Sequence, residues 1–368
     1  MWIKELRTYQ FRNLVDSTIQ FQPGVNLIIG KNGQGKTNCL ESISVLSSAK
    51  SFRTSKLSDL IKWEHIEASI FANIEFSNGI NNSLGLVLGK KSKQAYINDS
   101  IVKSADEFIG VLASVTFTPD DLELVKGGPS ERRKFMDRAL AFLDRRLIRT
   151  LTSYNTTIRS KNSVLKNSFG KNKSTVFEEL DSWNRLIAKY GTEIELARRS
   201  LINQISERAR IIYSTYAPAG ENLELFLKSA KTKPEPTEYL IMEELNEARE
   251  REFYRGQSLV GPHRDDLIIS LNGIESHSFA SQGQTRSIVL ALKLALIEEI
   301  ESVRGEAPVI LLDDVDSELD QGRRESFFNT IVSNKRQVII SGTNAKVLPV
   351  SSSEINVLKM DSGIVSGS

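Results

Sequence analysis

Three short stretches with strand-like patterns of apolar and polar residues open the chain. The segments LRTYQFRNL, VDSTIQF and VNLIIG predict β-strands, and the last of them ends on Gly30. In the next segment, TNCLESISVLS, apolar side chains recur at helical spacing at Leu40, Ile43, Val45 and Leu46. A strand, a glycine-rich loop and a helix in this order are typical of a βα unit that binds phosphate groups.

The periodicity changes twice along the rest of the chain. Residues 67–115 alternate and turn like an antiparallel sheet, whereas helical spacing dominates from Ser130 to about Tyr213, with a break near residues 166–174. Strand patterns return at NLELFL and DDLIISLNG, and helix and strand alternate in the tail, which contains APVILLDDV and RQVIISGTN. We therefore expect an α/β domain split by a mainly helical insertion. The predicted domains are residues 1–117 with 255–368, and residues 118–254.

Composition narrows the class of protein. The chain has 368 residues with 40% hydrophobic content, which is ordinary for a globular protein of one or two domains. We expect no membrane span and no secretory signal, because no apolar run reaches 18 residues and the first residues, MWIKELRTYQF, lack the signal layout. A single cysteine, Cys39, and three scattered histidines indicate a reducing, cytoplasmic setting without a structural zinc site.

The formal net charge of +2 conceals a strong asymmetry. Residues 126–173 contain 13 lysines and arginines against three acids, a net charge of +10, which leaves about −8 for the remainder. Such a distribution favours a polyanionic partner for one part of the molecule, although a solvated helix face is the plainer explanation of any charge run. Within the segment, five clustered arginines are the candidate contacts to such a partner: Arg132, Arg133, Arg145, Arg146 and Arg149.

The segment GKNGQGKT at residues 30–37 matches the phosphate-loop pattern G-x-x-x-x-G-K-[ST] in full. Its glycines allow backbone N–H groups to turn toward phosphate oxygens, Lys36 would reach the β- and γ-phosphates, and the Thr37 hydroxyl would bind Mg²⁺. We expect ATP and Mg²⁺ here. The predicted nucleotide-binding residues of the loop and helix start are Gly30, Lys31, Asn32, Gly33, Gln34, Gly35, Lys36, Thr37 and Asn38.

A second acidic motif completes this site. In PVILLDDVDSELD, residues 308–320, an apolar strand ends in two carboxylates. Asp313 is placed to hold Mg²⁺, and Asp314 to orient the attacking water, so that Asp313, Asp314 and Lys36 are the predicted catalytic residues.

The stretch HSFASQGQTRSIVLALKLALIEEI, residues 277–300, begins with polar residues although its body is almost wholly apolar. Ser281 and Gln284 have the spacing of a capping box, so a capped core helix is one explanation. Preceding an apolar strand with paired carboxylates, however, this Ser-x-Gly-Gln start resembles the signature helix of the ATP-binding-cassette superfamily. That resemblance implies that Ser281, Gln282, Gly283 and Gln284 contact an ATP bound by a second copy of the chain.

Longer motifs resemble the RecF family of bacterial replication and repair ATPases, which is related to SMC proteins. They cover almost the whole chain: FRNL (11–14), GKNGQGKTN, SFRTS (51–55), FTPDDLELVKGGPSERRKFMD (117–137), LDSWNRLIAKYG (180–191), GPHRDDL (261–267), SQGQTRS (281–287) and LLDDVDSELD (311–320). The implied fold is a P-loop, cassette-type ATPase head with a mixed sheet and an inserted helical lobe.

The resemblance also implies roles for further residues. Arg12, Asn13 and Arg53 would lie beside the nucleotide, and Asp320 would belong to a turn at the dimer interface. Asp120 and Asp121 fall near the region that replaces the usual glutamine loop. For His263 and Arg264 a structural or interfacial role is expected, because no nucleophile pattern accompanies them.

The implied function is an ATP-driven homodimer that clamps duplex DNA or single-strand/double-strand junctions without sequence preference. It would support RecA loading and the SOS response together with the mediator proteins RecR and RecO. Two departures from transporter cassettes favour slow, DNA-stimulated hydrolysis: Asp314 replaces the usual glutamate, and QVIISGTN lacks the switch histidine. A structural clamp with negligible hydrolysis and, less favoured, a transporter subunit are the alternatives.

Overall fold

The computed structural model describes residues 1–168, 170, 172–218, 220–229, 234–314, 321–332, 336–343 and 355–367. The chain forms two compact units: unit 1 comprises Met1–Leu122 and Lys293–Ser368, and unit 2 comprises Glu123–Leu292. The predicted turn that contains Asp320 lies outside the described residues. No helix in the described ranges is both long and apolar enough to cross a membrane.

An antiparallel sheet of six strands forms one layer of unit 1, with the strand order β2-β1-β4-β5-β6-β7. Along β4 the exposed and buried positions alternate, so that one face carries Ala68, Ile70, Ala72 and Ile74 into the core. The strands are β1 (Trp2–Tyr9), β2 (Ser17–Gln20), β4 (Glu67–Glu75), β5 (Asn81–Gly89), β6 (Lys93–Ile97) and β7 (Ser100–Val102).

The second layer of unit 1 is a mixed sheet with the order β15-β14-β3-β13-β12-β8, in which only the β14–β15 pair is antiparallel. The inner strands β12 and β13 and the edge strand β8 are buried throughout, as parallel strands covered on both faces require. The strands are β3 (Val25–Ile29), β8 (Ser114–Phe117), β12 (Val309–Leu312), β13 (Val338–Gly342), β14 (Ile355–Asp361) and β15 (Ile364–Gly367).

The described part of unit 1 wholly contains the helices α1 (Lys36–Ser48), α2 (Ala105–Phe108) and α10 (Gln321–Ile331). Helix α1 is buried from Cys39 onward, which agrees with the apolar spacing seen in the sequence. Two short 3-10 turns, Leu57–Leu60 and Pro119–Leu122, complete the unit.

Unit 2 is mainly helical and contains a small antiparallel sheet with the order β11-β10-β9. The strands are β9 (Leu223–Leu227), β10 (Leu267–Leu271) and β11 (Ile274–Glu275). The helices are α3 (Glu123–Lys126), α4 (Pro129–Leu143), α5 (Arg146–Lys166), the 44-residue α6 (Lys173–Tyr216), α7 (Glu238–Arg255) and α8 (Ser276–Phe279), with a 3-10 turn at Pro262–Arg264. Apolar residues of α5, α6 and α7 form a shared core.

Both unit boundaries differ from those predicted. Residues 255–292 were expected in the ATPase lobe but belong to unit 2, and the second boundary falls inside helix α9 (Gln282–Arg304). The reason is strand pairing: β10 lies antiparallel to β9, with Leu267 opposite Leu227, so the GPHRDDL segment folds onto the insertion. The pattern of apolar and polar residues within a strand does not determine which other strand it pairs with.

Candidate nucleotide site and basic surface

The phosphate loop connects β3 to α1 at the carboxyl edge of the mixed sheet. Gly33 and Gly35 have φ angles of 81° and 112°, a left-handed backbone that favours glycine. Helix α1 starts directly after Gly35, and no side chain caps its N-terminus. Its first N–H groups therefore face the loop and can bind an anion.

Gly30 is required by a close contact with a neighbouring strand. A Cβ atom at this position would lie 2.3 Å from the backbone oxygen of Met360 on β14. The glycine thus lets the loop start against the backbone of β14. The sequence had indicated a role for Gly30 only in the turn around phosphate.

Lys36 lies across the loop in the position that phosphate binding requires. Its ammonium donates hydrogen bonds to the backbone oxygens of Gly30 at 2.7 Å and Lys31 at 3.0 Å. Lys31, Asn32 and Gly33 are exposed, so the mouth of the loop is open. A cation, uncapped helix N–H groups and an open loop together fit a polyphosphate.

The two predicted halves of the site meet at Thr37 and Asp313. The Thr37 hydroxyl donates to Asp313 Oδ1 at 2.8 Å, and the hydroxyl of Ser341 on β13 donates to the same oxygen at 2.8 Å. Burial raises the pKa of Asp313 above its usual value, although the two hydrogen bonds act in the opposite direction and lower it. Ser341 was missed by the sequence analysis, which had noted only the lack of a histidine in QVIISGTN.

A hydroxyl beside a carboxylate at the carboxyl edge of a sheet is a donor set that fits Mg²⁺, provided that phosphate oxygens and water supply the other ligands. Among the described residues, no group of three or more histidine, cysteine, aspartate or glutamate side chains could hold a metal. The residues present thus fit a cation that arrives with a nucleotide, with Thr37 and Asp313 as its protein ligands.

Asp314 follows Asp313 in a left-handed conformation, with a φ angle of 51°, and is exposed. Its N–H donates to Ser341 Oγ at 3.1 Å, which fixes the backbone at this point. Ser341 therefore holds both acids of the motif.

Arg12 and Arg53 converge on a residue that the sequence reading had not singled out. Glu41 on α1 is fully buried and accepts two hydrogen bonds from the Arg12 guanidinium, at 2.8 and 2.9 Å. Arg53 Nη1 lies 3.5 Å from Glu41 and donates to Asn38 Oδ1 at 2.7 Å. The structure thus brings both arginines to the first turns of α1, with Glu41 orienting them.

Asn13 and Gln34 connect the loop to other elements of unit 1. Asn13 donates to the backbone oxygen of Gly33 at 3.1 Å and accepts from the Asn38 amide at 2.6 Å. Gln34 accepts from the backbone N–H of Gly363 at 2.9 Å and from that of Ser362. The β14–β15 turn thus supports the loop, a contact that sequence reasoning did not anticipate.

Asp121 supports the end of β8. Its carboxylate accepts from the N–H of Thr118 at 2.6 Å and pairs with Lys293. Asp120 is exposed. The structure therefore gives Asp121 a local structural contact within unit 1.

The predicted signature segment caps helix α9 in unit 2. The N–H of Ser281 donates to Gln284 Oε1 at 2.8 Å, and the N–H of Gln284 donates to Ser281 Oγ at 3.2 Å, so the capping box is confirmed. The Gln284 amide also donates to Glu221 at 2.8 Å. Ser281 and Gln282 remain exposed. Capping and presentation to a second molecule are thus compatible.

The five candidate DNA-binding arginines separate into two groups. Arg132 is buried and donates to both carboxylate oxygens of Asp266, at 2.7 and 3.0 Å, and Arg133 is half-buried and donates to the backbone oxygen of Asp265. The other three are exposed on unit 2: Arg145, Arg146 and Arg149. The expected phosphate contact at Arg132 does not fit its burial and ion pair.

The family model described as "RecF/RecN/SMC N terminal domain" matches residues 2–366. The chain belongs to the RecF family. Curated relatives named "DNA replication and repair protein RecF" include that of Clostridium kluyveri, 36% identical over 90% of this chain and 90% of the relative, and that of Clostridium acetobutylicum, 34% identical over 99% of both.

Solved structures agree with this membership. A structure described as the recombination mediator protein RecF-ATPrS in the RecFOR pathway matches with a TM-score of 0.88 and 32% identity, covering 100% of this chain and 98% of that one. An SMC head bound to the C-terminal winged-helix domain of ScpA matches with a TM-score of 0.57 at 16% identity, which shows a shared fold. The expected RecF/SMC-type ATPase head with a mixed sheet is confirmed.

Proposed function

We propose that this RecF-family chain is an ATP-dependent DNA-binding protein of replication and repair, in which ATP and Mg²⁺ pair two copies of the chain on DNA. The observation that carries the proposal is the hydrogen bond between Thr37 and Asp313, because it joins the phosphate loop to the acidic strand end. Relatives carry a replication and repair name, and solved members are described with ATP in the RecFOR pathway.

In the proposed site, Lys36 exchanges its backbone partners for the β- and γ-phosphate oxygens of ATP. Thr37 and Asp313 hold Mg²⁺, which would supply positive charge against the phosphates. Asp314, on the backbone fixed by Ser341, orients the attacking water. The shorter reach of an aspartate supports slow hydrolysis that DNA stimulates, with turnover serving to release the dimer.

The proposed dimer places the cap of α9 against the nucleotide of the other copy. Ser281 would offer its hydroxyl and Gly283 its N–H, and the exposure of Ser281 and Gln282 supports this presentation. Asp320 remains a proposed part of the same interface. Two copies sharing two nucleotides form a closed, two-fold assembly.

Exposed basic residues of unit 2 are the proposed duplex contacts: Arg145, Arg146 and Arg149. The half-buried Arg133 is a further proposed contact. Contacts to the phosphate backbone give affinity without sequence preference. The proposal also includes partners of the RecR and RecO type, RecA loading at gaps, a part in the SOS response and a cytoplasmic location. These further parts rest on the family.

The mass of the protein in solution tests the shared site. We would measure it by light scattering with ATP·Mg²⁺, with and without a short duplex, for wild type and three variants. Lys36→Met removes the phosphate-binding cation, and Ser281→Arg obstructs the cap. Ser214→Arg adds the same side chain to an exposed position of α6 and serves as the control.

Wild type and Ser214→Arg should double their mass with ATP·Mg²⁺ and retain duplex. Lys36→Met should stay monomeric because nucleotide binding fails. Ser281→Arg should bind ATP yet stay monomeric. Dimerisation of Ser281→Arg at the wild-type ATP concentration would show that residues 281–284 only cap the helix, and the clamp would then be refuted.

A further inference from the structure

Unit 1 carries a second basic surface that the charge count along the sequence did not reveal. Strand β4 begins at Glu67, which is paired with Gly89 at the end of β5. Residues 62–66 and the tight turn after β5, closed by a 2.9 Å hydrogen bond from Gly89 N to Ser92 O, therefore share one end of the antiparallel sheet. Lys90 and Lys91 are exposed in that turn.

The end of helix α1 reaches the same place. Lys93 donates a hydrogen bond to the backbone oxygen of Ala49, directly after α1. Burial, and secondarily the neighbouring charge of Lys50, lowers the pKa of Lys93. This end of the sheet carries Lys50, Lys62, Lys90, Lys91 and Lys93 against the exposed acids Glu64 and Glu67, so positive charge predominates here.

An exposed aromatic ring lies at this basic end of the sheet. Trp63 is 92% exposed, and Ile66, which follows it before β4, is 77% exposed. The turn that carries the indole is held by hydrogen bonds from His65 N to Lys62 O at 3.1 Å and from Lys62 N to Gln10 O at 2.8 Å. The ring is thus presented on a fixed turn. We call Lys50, Lys62, Trp63, Lys90, Lys91 and Lys93 the tryptophan–lysine patch.

We propose that the tryptophan–lysine patch binds single-stranded DNA, with the lysines on phosphates and Trp63 stacked on a base. The inference rests on the proposed DNA-binding function and extends it to the unpaired side of a junction. Lysines with an exposed aromatic ring are the usual elements of single-strand binding. In a duplex the base faces are already stacked on one another, so a duplex offers the indole no free face. A protein that packed against Trp63 and Ile66 would instead have to contact the lysines around them.

The lysines at the end of α1 lie away from the phosphate loop, whereas the Trp63 turn adjoins the backbone at Gln10. Helix α1 has 13 residues, and Lys50 follows its C-terminal end while the phosphate loop precedes its N-terminal end. At a rise of about 1.5 Å per residue the two ends are roughly 20 Å apart. The patch also shares no residue with the predicted nucleotide-binding set, so single-strand binding should not require ATP, which distinguishes it from dimerisation.

Binding of a 15-nucleotide oligothymidine tests the proposal through Trp63 itself. With Trp2→Phe and Trp183→Phe, Trp63 becomes the sole tryptophan, and the oligonucleotide should quench its emission. In otherwise wild-type protein, Trp63→Ala should weaken oligothymidine binding about tenfold, as loss of one stacked base predicts. Lys90→Gln with Lys91→Gln should lower the salt slope by about 1.4. Lys4→Gln, at the other end of the same sheet, is the charge control, and Tyr239→Ala is the aromatic control.

Duplex binding and ATP-dependent mass are measured on the same variants, so that the two proposals can fail separately. Unchanged emission of Trp63 together with unchanged affinity of Trp63→Ala would overturn the single-strand proposal. So would an equal loss for duplex, which would identify a duplex surface. If wild type dimerises and holds duplex but ignores oligothymidine, this inference fails while the proposed function stands.

Discussion

His263 shows how a residue of a conspicuous motif serves the fold. Its Nε2 lies 3.2 Å from the backbone oxygen of Ser258, which can only accept, so Nε2 carries the proton. Its Nδ1 then accepts from the hydroxyl of Tyr154 at 2.7 Å, and burial raises the pKa of that hydroxyl, so that it remains a donor. A neutral imidazole in one tautomer satisfies both partners. The structural role that was expected for His263 fits this geometry.

This arrangement predicts a pH-dependent stability. Burial lowers the pKa of His263 to about 4, from an ordinary value near 6.5 in the unfolded chain. As pH falls from 6.5 to 4, the unfolded chain binds a proton that the folded one refuses, so stability is lost across this window. The loss should reach roughly 3 kcal/mol, at about 1.4 kcal/mol per pKa unit.

Urea unfolding of wild type and His263→Gln at pH 7 and pH 4.5 measures this contribution. The variant should be less stable at pH 7 but should lose less stability on acidification, because it lacks the buried imidazole. The other titrating groups are the same in both proteins, so their contributions cancel in the comparison. Parallel pH profiles would show that His263 does not set the acid sensitivity.

Single residues also show how far sequence could predict the site. Lys36 and Thr37 could be placed because their spacing encodes a strand–loop–helix unit, and Asp313 because it follows an apolar strand. Ser341 and Glu41 were not predictable, because their importance comes from hydrogen bonds to distant parts of the chain. Ser341 donates to Asp313, 28 positions away, and Glu41 on α1 accepts from Arg12. Arg132 was misjudged for the same reason, since its partner Asp266 lies 134 positions away.

At the scale of elements, a buried ion pair ties helix α5 to helix α7. Lys161 Nζ lies 2.7 Å from Glu252 Oε2, and both side chains are almost completely buried. Glu252 Oε1 also accepts from the N–H of Leu259 at 2.8 Å and from Ser258 Oγ at 3.2 Å. The pair therefore fixes the chain that leaves α7 toward the GPHRDD segment.

Removal of one partner should be costly, because the remaining charge stays buried. Lys161→Met should destabilise unit 2 by about 3–5 kcal/mol, whereas Lys161→Met with Glu252→Gln should recover much of that loss. The glutamine is chosen because its carbonyl can still accept from Leu259. Denaturant midpoints of the single and double variants measure the coupling, and additive losses would show that the two groups act independently.

Element prediction succeeded where periodicity decides and failed where pairing decides. Strands β3 and β12 and the helices α5 and α6 follow from apolar spacing alone. The β14–β15 hairpin, in contrast, was not singled out, although NVLKMDSGIV has strand-like residues around a Ser-Gly turn. Its place beside β3 and its contact with Gln34 depend on the order of strands in the sheet, which local sequence does not determine.

For the whole molecule, the fold changes the meaning of the charge count. Among the described residues of 126–173, the cations that pair with acids from elsewhere in unit 2 include Arg132 with Asp266, Lys161 with Glu252 and Lys173 with Glu250. The charge of +10 therefore overstates what this segment offers a ligand. The proposed duplex contacts near the start of α5 are exposed, and among them Arg146 pairs with the nearby Asp144.

The salt dependence of duplex binding separates surface arginines from structural ones. Each phosphate contact contributes about 0.9 to the slope of log affinity against log salt, so the triple variant Arg145→Gln, Arg146→Gln, Arg149→Gln should lower the slope by up to about 3. Its thermal midpoint should hardly change, because these side chains are exposed. Arg132→Gln should leave the slope unaltered and lower the midpoint, since it leaves Asp266 without its partner.

Fluorescence anisotropy with a labelled duplex between 50 and 200 mM salt gives these slopes, and thermal unfolding gives the midpoints. Arg210→Gln, an exposed residue of α6 outside the basic segment, controls for loss of one surface charge. A slope that falls for Arg132→Gln in a stably folded protein would reverse the division between the two groups. If the triple variant keeps the full slope, duplex must bind elsewhere on the molecule, because counterion release counts only the cations that touch phosphate.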